Sequence, residues 1–296
     1  MVDMSLPALN DLEGDAVPES LHSVVDAHVH LFPDGMFSAI RQWFDHYGWP
    51  VRYRMSSEEL VQFLLNRGID HVVGLHYAHK PGIARNLNEY MAELVRSFSK
   101  LTGTATVFPG EPNARAILED AFSLGLKGVK LHAHVQGFHM DCEAMFEICE
   151  VCDAHRQPLV MHVGREPKNP HFAYPVDPYL ICRSDHLEEI LRIYPRLKVC
   201  VPHLGADEFA TYRRLLDKYD NLWLDTAMML ADYLPVENLP RLVEFRPERV
   251  MYGTDFPQIP YAWDRELKRI GGLGLTEDRL ALILKGNALE FFSISV

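Results

Sequence analysis

From about residue 23 the chain keeps repeating one pattern: a short apolar run, rich in Val, Ile and Leu, then a longer stretch whose apolar positions recur every three or four residues. The short runs fall at Ser23 to His30, His71 to Leu75, Gly103 to Phe108, Gly128 to His132, Pro158 to His162, Lys198 to His203, Leu222 to Asp225 and Val250 to Tyr252. Runs of this kind separated by helical spacing are the signature of parallel βα units, and eight of them are enough to close a TIM-like (β/α)8 barrel. Helix starts are marked by Ser56 and Ser57 ahead of Glu58 and Glu59, and by Thr276 ahead of Glu277 and Asp278. There is no internal repeat and no Gly-, Pro- or Ser-rich linker. The pattern therefore predicts one α/β domain over residues 23–296, preceded by an acidic arm over 1–22 that reads as a surface segment, not a secretion signal.

Two stretches depart from the repeat. The connection after the first run is long and carries Phe37, Trp43, Phe44, Tyr47, Trp49 and Tyr53, which suits either a wall over the barrel mouth or a small satellite core. GGLGLTED, at 271–278, resembles part of a dinucleotide loop but lacks the strand that should precede it, so it reads as a helix connection.

Composition narrows the function. With 29 basic against 41 acidic residues the formal charge is −12, which disfavours nucleic acid and points to a small-molecule substrate. No apolar run reaches the roughly 20 residues that span a bilayer, so no membrane partner and a cytoplasmic location are expected. Nothing marks a self-complementary patch, and a homo-oligomer stays open. Five cysteines do not make a disulfide framework. Cys149, Cys152 and His155 sit in EAMFEICEVCDAH, whose spacing is that of a buried helix face and not of a zinc or redox motif.

The fifteen histidines are in surplus, and their placement carries the chemistry. In VVDAHVHLF, strand alternation puts Asp26, His28 and His30 on one face and Val25, Ala27 and Val29 on the other. An HxH alone is weak, since two hydrogen-bonded polar residues would look the same. Other strand ends add to it: PLVMHVG ends at His162, LKVCVPHLG at His203, and RVMYGTDFP at Asp255. Three strand-terminal histidine positions and a carboxylate at one barrel end are costly to explain as packing. Imidazole with carboxylate suits one zinc, with manganese, iron or nickel also compatible.

Together VDAHVH, GLKGVKLHAH, PLVMHVG, VPHLG, MYGTDFP and the closing LKGNALEFF resemble the amidohydrolase superfamily, specifically its amidohydrolase-2 branch of TIM-barrel metal-dependent hydrolases, from about Val24 to the C-terminus. That resemblance implies His28, His30 and His162 as metal ligands and Asp255 as a ligand that also handles a proton. It implies His203 as the catalytic histidine that orients water or polarises substrate, and a structural part for Asp26.

The expected reaction is attack of metal-activated water on the carbonyl carbon of an amide, ester or lactone in a small, carboxylated substrate. The same ligands would serve non-oxidative decarboxylation of an aromatic or unsaturated acid, as some members of the branch perform, and a non-catalytic metal-stabilised scaffold is the remaining alternative. Lys130, His132 and His134 share one face if their strand persists, and with His76 they are the candidate substrate-side residues. Lys130 could anchor a substrate carboxylate; in binuclear relatives a lysine at that strand is carboxylated and bridges a second ion. His79, Lys80, Arg165 and Lys168 are further cations near the mouth, each also readable as an ordinary solvated loop charge.

Overall fold

The computed structural model describes residues 10–21, 23–163, 178–206, 208–233, 239 and 241–295. All eight expected strands form: β1 (Val25–His30), β2 (His71–Leu75), β3 (Leu101–Gly103), β4 (Val129–His132), β5 (Leu159–His162), β6 (Val199–Val201), β7 (Leu222–Asp225) and β8 (Val250–Met251). Helices fall between and after them: α1 (Asp34–Tyr47), α2 (Ser57–Asn66), α3 (Ala84–Ser97), α4 (Ala114–Ser123), α5 (Ala133–Gln136), α6 (Glu143–His155), α7 (Pro178–Ile181), α8 (Ser184–Ile193), α9 (Phe209–Lys218), α10 (Arg265–Gly271), α11 (Glu277–Ala281) and α12 (Asn287–Phe292).

Every strand pair is parallel, in the orders β1-β2-β3 and β4-β5-β6-β7-β8. Two parallel bridges, Ala105 to Val129 and Val29 to Phe256, join the two sheets at both seams and close the ring. The third strand is shorter than expected and lies earlier. Beyond Gly103 the chain leaves β2 for β4: Thr104 N–H and hydroxyl still donate to the Gly74 carbonyl, Lys130 N–H donates to the Ala105 carbonyl, and the Thr106 hydroxyl donates to the Lys130 carbonyl. A segment that changes partner in this way cannot keep one regular ladder.

Inside the barrel, Val25, Ala27, Val73, Leu75, Val160, Cys200, Trp223 and Met251 form one buried cluster with Phe291, Phe292 and Ile294. Helix α12 and the residues after it thus plug the N-terminal end of the barrel. Lys127 and Lys198, at the entries to β4 and β6, donate to the Ser293 and Glu290 carbonyls and fasten that plug. With that end closed, the chemistry is confined to the C-terminal end of the strands.

The larger cluster lies between strands and helices, where α3 contributes Leu87, Met91 and Leu94 and α6 contributes Met145, Ile148, Cys149 and Cys152. Cys149 and Cys152 are fully buried free thiols, and burial pushes both thiols up, away from the thiolate that redox or metal chemistry needs. Within residues 10–21 the arm is strapped down: Tyr53 donates its hydroxyl to Glu13 at 2.6 Å, Arg265 pairs with Asp11 at 2.7 Å, and Gly14 N–H donates to Asp264 at 2.9 Å. The aromatics after β1 pack against the loop that follows β8. Tyr53 meets the Phe256 ring at 4.7 Å and Trp49 donates its indole N–H to the Gln258 carbonyl. Among the described residues no helix is long and apolar enough to cross a membrane.

Candidate metal centre

Strand β1 does not keep simple alternation. Between Asp26 and Val29 it advances three residues while β2 advances two, from Val72 to Gly74, so β1 carries a bulge. Val25 and Ala27 pack into the barrel interior, and the irregularity then turns His28 and His30 toward the mouth. The single face expected for Asp26, His28 and His30 is corrected accordingly. Asp26 accepts from the Thr254 hydroxyl at 2.7 Å, the Thr254 N–H at 3.1 Å and the His28 N–H at 3.2 Å. It braces the seam between β1 and the turn after β8. Burial raises its carboxyl to about 7, against those donors.

His28 Nε2 and His30 Nε2 stand 3.2 Å apart, and Asp255 Oδ1 lies 3.3 Å from the first and 2.9 Å from the second. Asp255 follows β8, has φ +67°, and is held by its own N–H donating to the His28 carbonyl at 2.9 Å. Gly253 permits that approach: a Cβ there would sit 2.6 Å from the Cβ of His28. All three side chains are buried, and their ligand atoms lie within 4.8 Å of one another. Burial acts to raise the Asp255 carboxyl, but hydrogen bonds from His28 and His30 prevail and hold it well below the usual carboxylate range. Burial lowers His30 to about 4, so its imidazole is neutral and one ring nitrogen keeps an available lone pair.

Asp225, the last residue of β7, was not singled out in the sequence. Its Oδ2 lies 2.8 Å from His28 Nδ1, and its Oδ1 accepts the His203 N–H at 3.0 Å and the Ala227 N–H at 3.2 Å. A carboxylate on Nδ1 leaves His28 Nε2 facing His30 and Asp255, an arrangement typical of metal-bound histidine. The available signal was its position, since it ends a strand at the same barrel end as His162 and His132.

His203, at φ +58° just past β6, has Nδ1 2.9 Å from the Ala227 carbonyl oxygen. A carbonyl can only accept, so Nδ1 carries the proton and neutral His203 presents its lone pair at Nε2. Its ring lies 5.4 Å from that of His28 and 4.9 Å from that of His162.

His162 ends β5 outside the tight His28, His30 and Asp255 group; its Nε2 is buried without a hydrogen-bond partner, and its ring stacks on His132 at 3.9 Å. Lys130 is fully buried on β4, its Nζ has no hydrogen-bond partner, and burial lowers its ammonium to about 8 against the pull of Asp225 and Asp255. His134 does not share a strand face with Lys130 and His132. Strand β4 ends at His132, and His134 belongs to α5 with Nε2 3.4 Å from Cys182 Sγ. His76 is buried with Nε2 3.2 Å from Asn88 Oδ1, and Asn88 in turn donates to the Thr106 carbonyl and accepts the Thr106 N–H. His79 and Lys80 are exposed, and Arg165 and Lys168 lie outside the described residues.

The donor set fits a divalent cation. Three lone-pair atoms from two imidazoles and a carboxylate converge, one imidazole is oriented from behind by Asp225, and the adjacent His162 Nε2 is buried and unpartnered.

A family model described as amidohydrolase matches residues 25–294. No curated protein matches the chain. Among solved structures, an uncharacterized TIM-barrel protein from Bordetella bronchiseptica aligns at TM-score 0.68 and 17% identity, covering 92% of this chain and 98% of that one. A 5-carboxyvanillate decarboxylase from Novosphingobium aromaticivorans, complexed with manganese and a nitrobenzoic acid, aligns at 0.64 and 16%, covering 96% and 100%. A protein assigned as a 2-pyrone-4,6-dicarboxylic acid hydrolase from Pseudomonas putida aligns at 0.61 and 16%, covering 93% and 99%. At these identities the likeness is one of fold.

Proposed function

The chain belongs to the amidohydrolase family, and on that premise we propose that it is a metal-dependent hydrolase cleaving an amide, ester or lactone bond in a small carboxylated substrate. His28, His30 and Asp255 would hold the ion, with His162 as the fourth side chain and zinc as the first choice of metal. A divalent ion bound there would supply Lewis acidity, lowering the pKa of water toward about 7 and polarising a carbonyl oxygen.

The observation that carries hydrolysis is that two groups at the ion site, His203 and Asp255, are placed as proton acceptors. His203 keeps its proton on Nδ1 against the Ala227 carbonyl, so Nε2 accepts a hydrogen from the attacking water and orients it. Asp255 meets both imidazoles through Oδ1, which leaves Oδ2 to take the water's proton and return it to the departing nitrogen or oxygen. Lys130, charged below about pH 8 and unpartnered, offers its ammonium to the substrate carboxylate.

Decarboxylation is the second reading, favoured by the fold neighbours that are decarboxylases of aromatic acids. It requires a protonated group that delivers hydrogen to carbon, in place of two acceptors. Turnover of a panel of small esters, lactones, amides and aromatic acids in heavy-oxygen water separates the two. Hydrolysis places label in the product; release of carbon dioxide with no label incorporated would replace it by decarboxylation.

A further inference from the structure

Glu266, on α10, is buried, and among the described residues no lysine, arginine or histidine pairs with it. Burial of such a carboxyl is costly, and burial pushes its pKa up. Among the described residues, backbone donors offset that cost: Met228 N–H donates to Oε2 at 3.0 Å and Leu230 N–H to Oε1 at 2.9 Å. Both belong to the loop after β7, where Met228 has φ +65°, a conformation that a methionine adopts only when held there.

The Met228 N–H and the Ala227 C=O are opposite ends of one planar peptide, and in a trans peptide they point in opposite directions. The Ala227 carbonyl accepts His203 Nδ1–H at 2.9 Å. The chain of bonds therefore runs from the Glu266 carboxyl through a single peptide to the imidazole. Hydrogen bonds in series polarise one another, so a carboxyl on the N–H end makes the carbonyl at the other end a stronger acceptor. Asp225 grips the same loop one residue earlier, by accepting the Ala227 N–H.

We propose that Glu266 is a positioning residue for His203: through the Ala227–Met228 peptide it fixes the imidazole as the Nδ1–H tautomer and keeps Nε2 as the acceptor. The use of that acceptor rests on the hydrolytic reading above; the tautomer does not. Glutamine at this position keeps the volume but has one acceptor oxygen for two N–H donors, and methionine keeps the volume with none.

The test is nitrogen NMR of His203 in the metal-loaded wild type, Glu266→Gln and Glu266→Met, read beside steady-state kinetics. The wild type is expected to show the proton on Nδ1. The variants are expected to show a mixed or Nε2–H tautomer, with kcat reduced roughly 10- to 100-fold, more for methionine, and with KM and metal content unchanged. Folded variants that keep both the wild-type tautomer and the wild-type kcat would overturn the assignment. If neither variant folds, the wild-type spectrum decides: a neutral His203 protonated at Nε2 also overturns it. A failed heavy-oxygen experiment would leave these spectra unchanged, so the two proposals fail separately.

Discussion

His28 Nδ1 lies 2.8 Å from Asp225 Oδ2, and the other oxygen of that carboxylate accepts the backbone N–H of His203 at 3.0 Å. One buried side chain thus orients a metal-site imidazole and the turn that carries the catalytic candidate. Asp225→Asn retains the shape but loses the negative charge and one acceptor. Metal affinity is expected to fall roughly 10- to 100-fold with the fold intact. Competition with a chelator measures this, and unchanged affinity would mean that the contact does not tune the site.

Gly253 is the close approach that lets the Asp255 turn lie over β1. In Gly253→Ala the new methyl would sit 2.6 Å from the His28 Cβ, so one strand must shift. A stability loss of about 1–3 kcal/mol is expected, with weaker metal binding alongside. Denaturant unfolding with and without metal reads both, and a variant equal to wild type in each would show that the seam is looser than described.

Lys130→Met removes the buried ammonium and nearly keeps its volume. For carboxylated substrates KM is expected to rise by at least about 10-fold, which corresponds to about 1.4 kcal/mol. Reconstitution of the wild type is expected to give one ion per chain with or without bicarbonate. Two ions in bicarbonate alone would instead make Lys130 a carboxylated bridge.

His71 and His76 are buried, and burial lowers them from an ordinary 6.5 to about 4 and about 3. As pH falls below 6.5 the unfolded chain takes up protons at these sites while the folded chain does not. Unfolding free energy should therefore fall with acidification, by up to about 1.4 kcal/mol per pH unit for each group, until the folded values are reached. Above pH 6.5 neither contributes a slope. Urea unfolding from pH 7.5 to 4.5 measures it, and His71→Gln is expected to flatten part of the curve; an unaltered slope would exclude His71 as a source.

Eight strands were readable in the sequence because each is a buried apolar run between helical stretches, and His28, His30 and Asp255 were readable because they lie near the C-terminal end of β1 or in the turn just beyond β8. Period-two alternation failed at β1, since a bulge depends on the pairing with β2 and leaves no mark in VVDAHVHLF. The face shared by Lys130, His132 and His134 failed because β4 gives way to α5 at Ala133. Asp225 and Glu266 went unrecognised for different reasons. Asp225 ends a strand as His162 does but sits in no histidine motif, whereas a glutamate on a short helix is ordinarily solvated, and nothing local shows that the barrel buries this one.

The most direct test of the metal centre is elemental analysis of purified wild type, His28→Ala and His30→Ala, each checked for folding. About one divalent ion per chain is expected in the wild type and close to none in either variant. Full stoichiometry in both variants would contradict the site built on His28, His30 and Asp255.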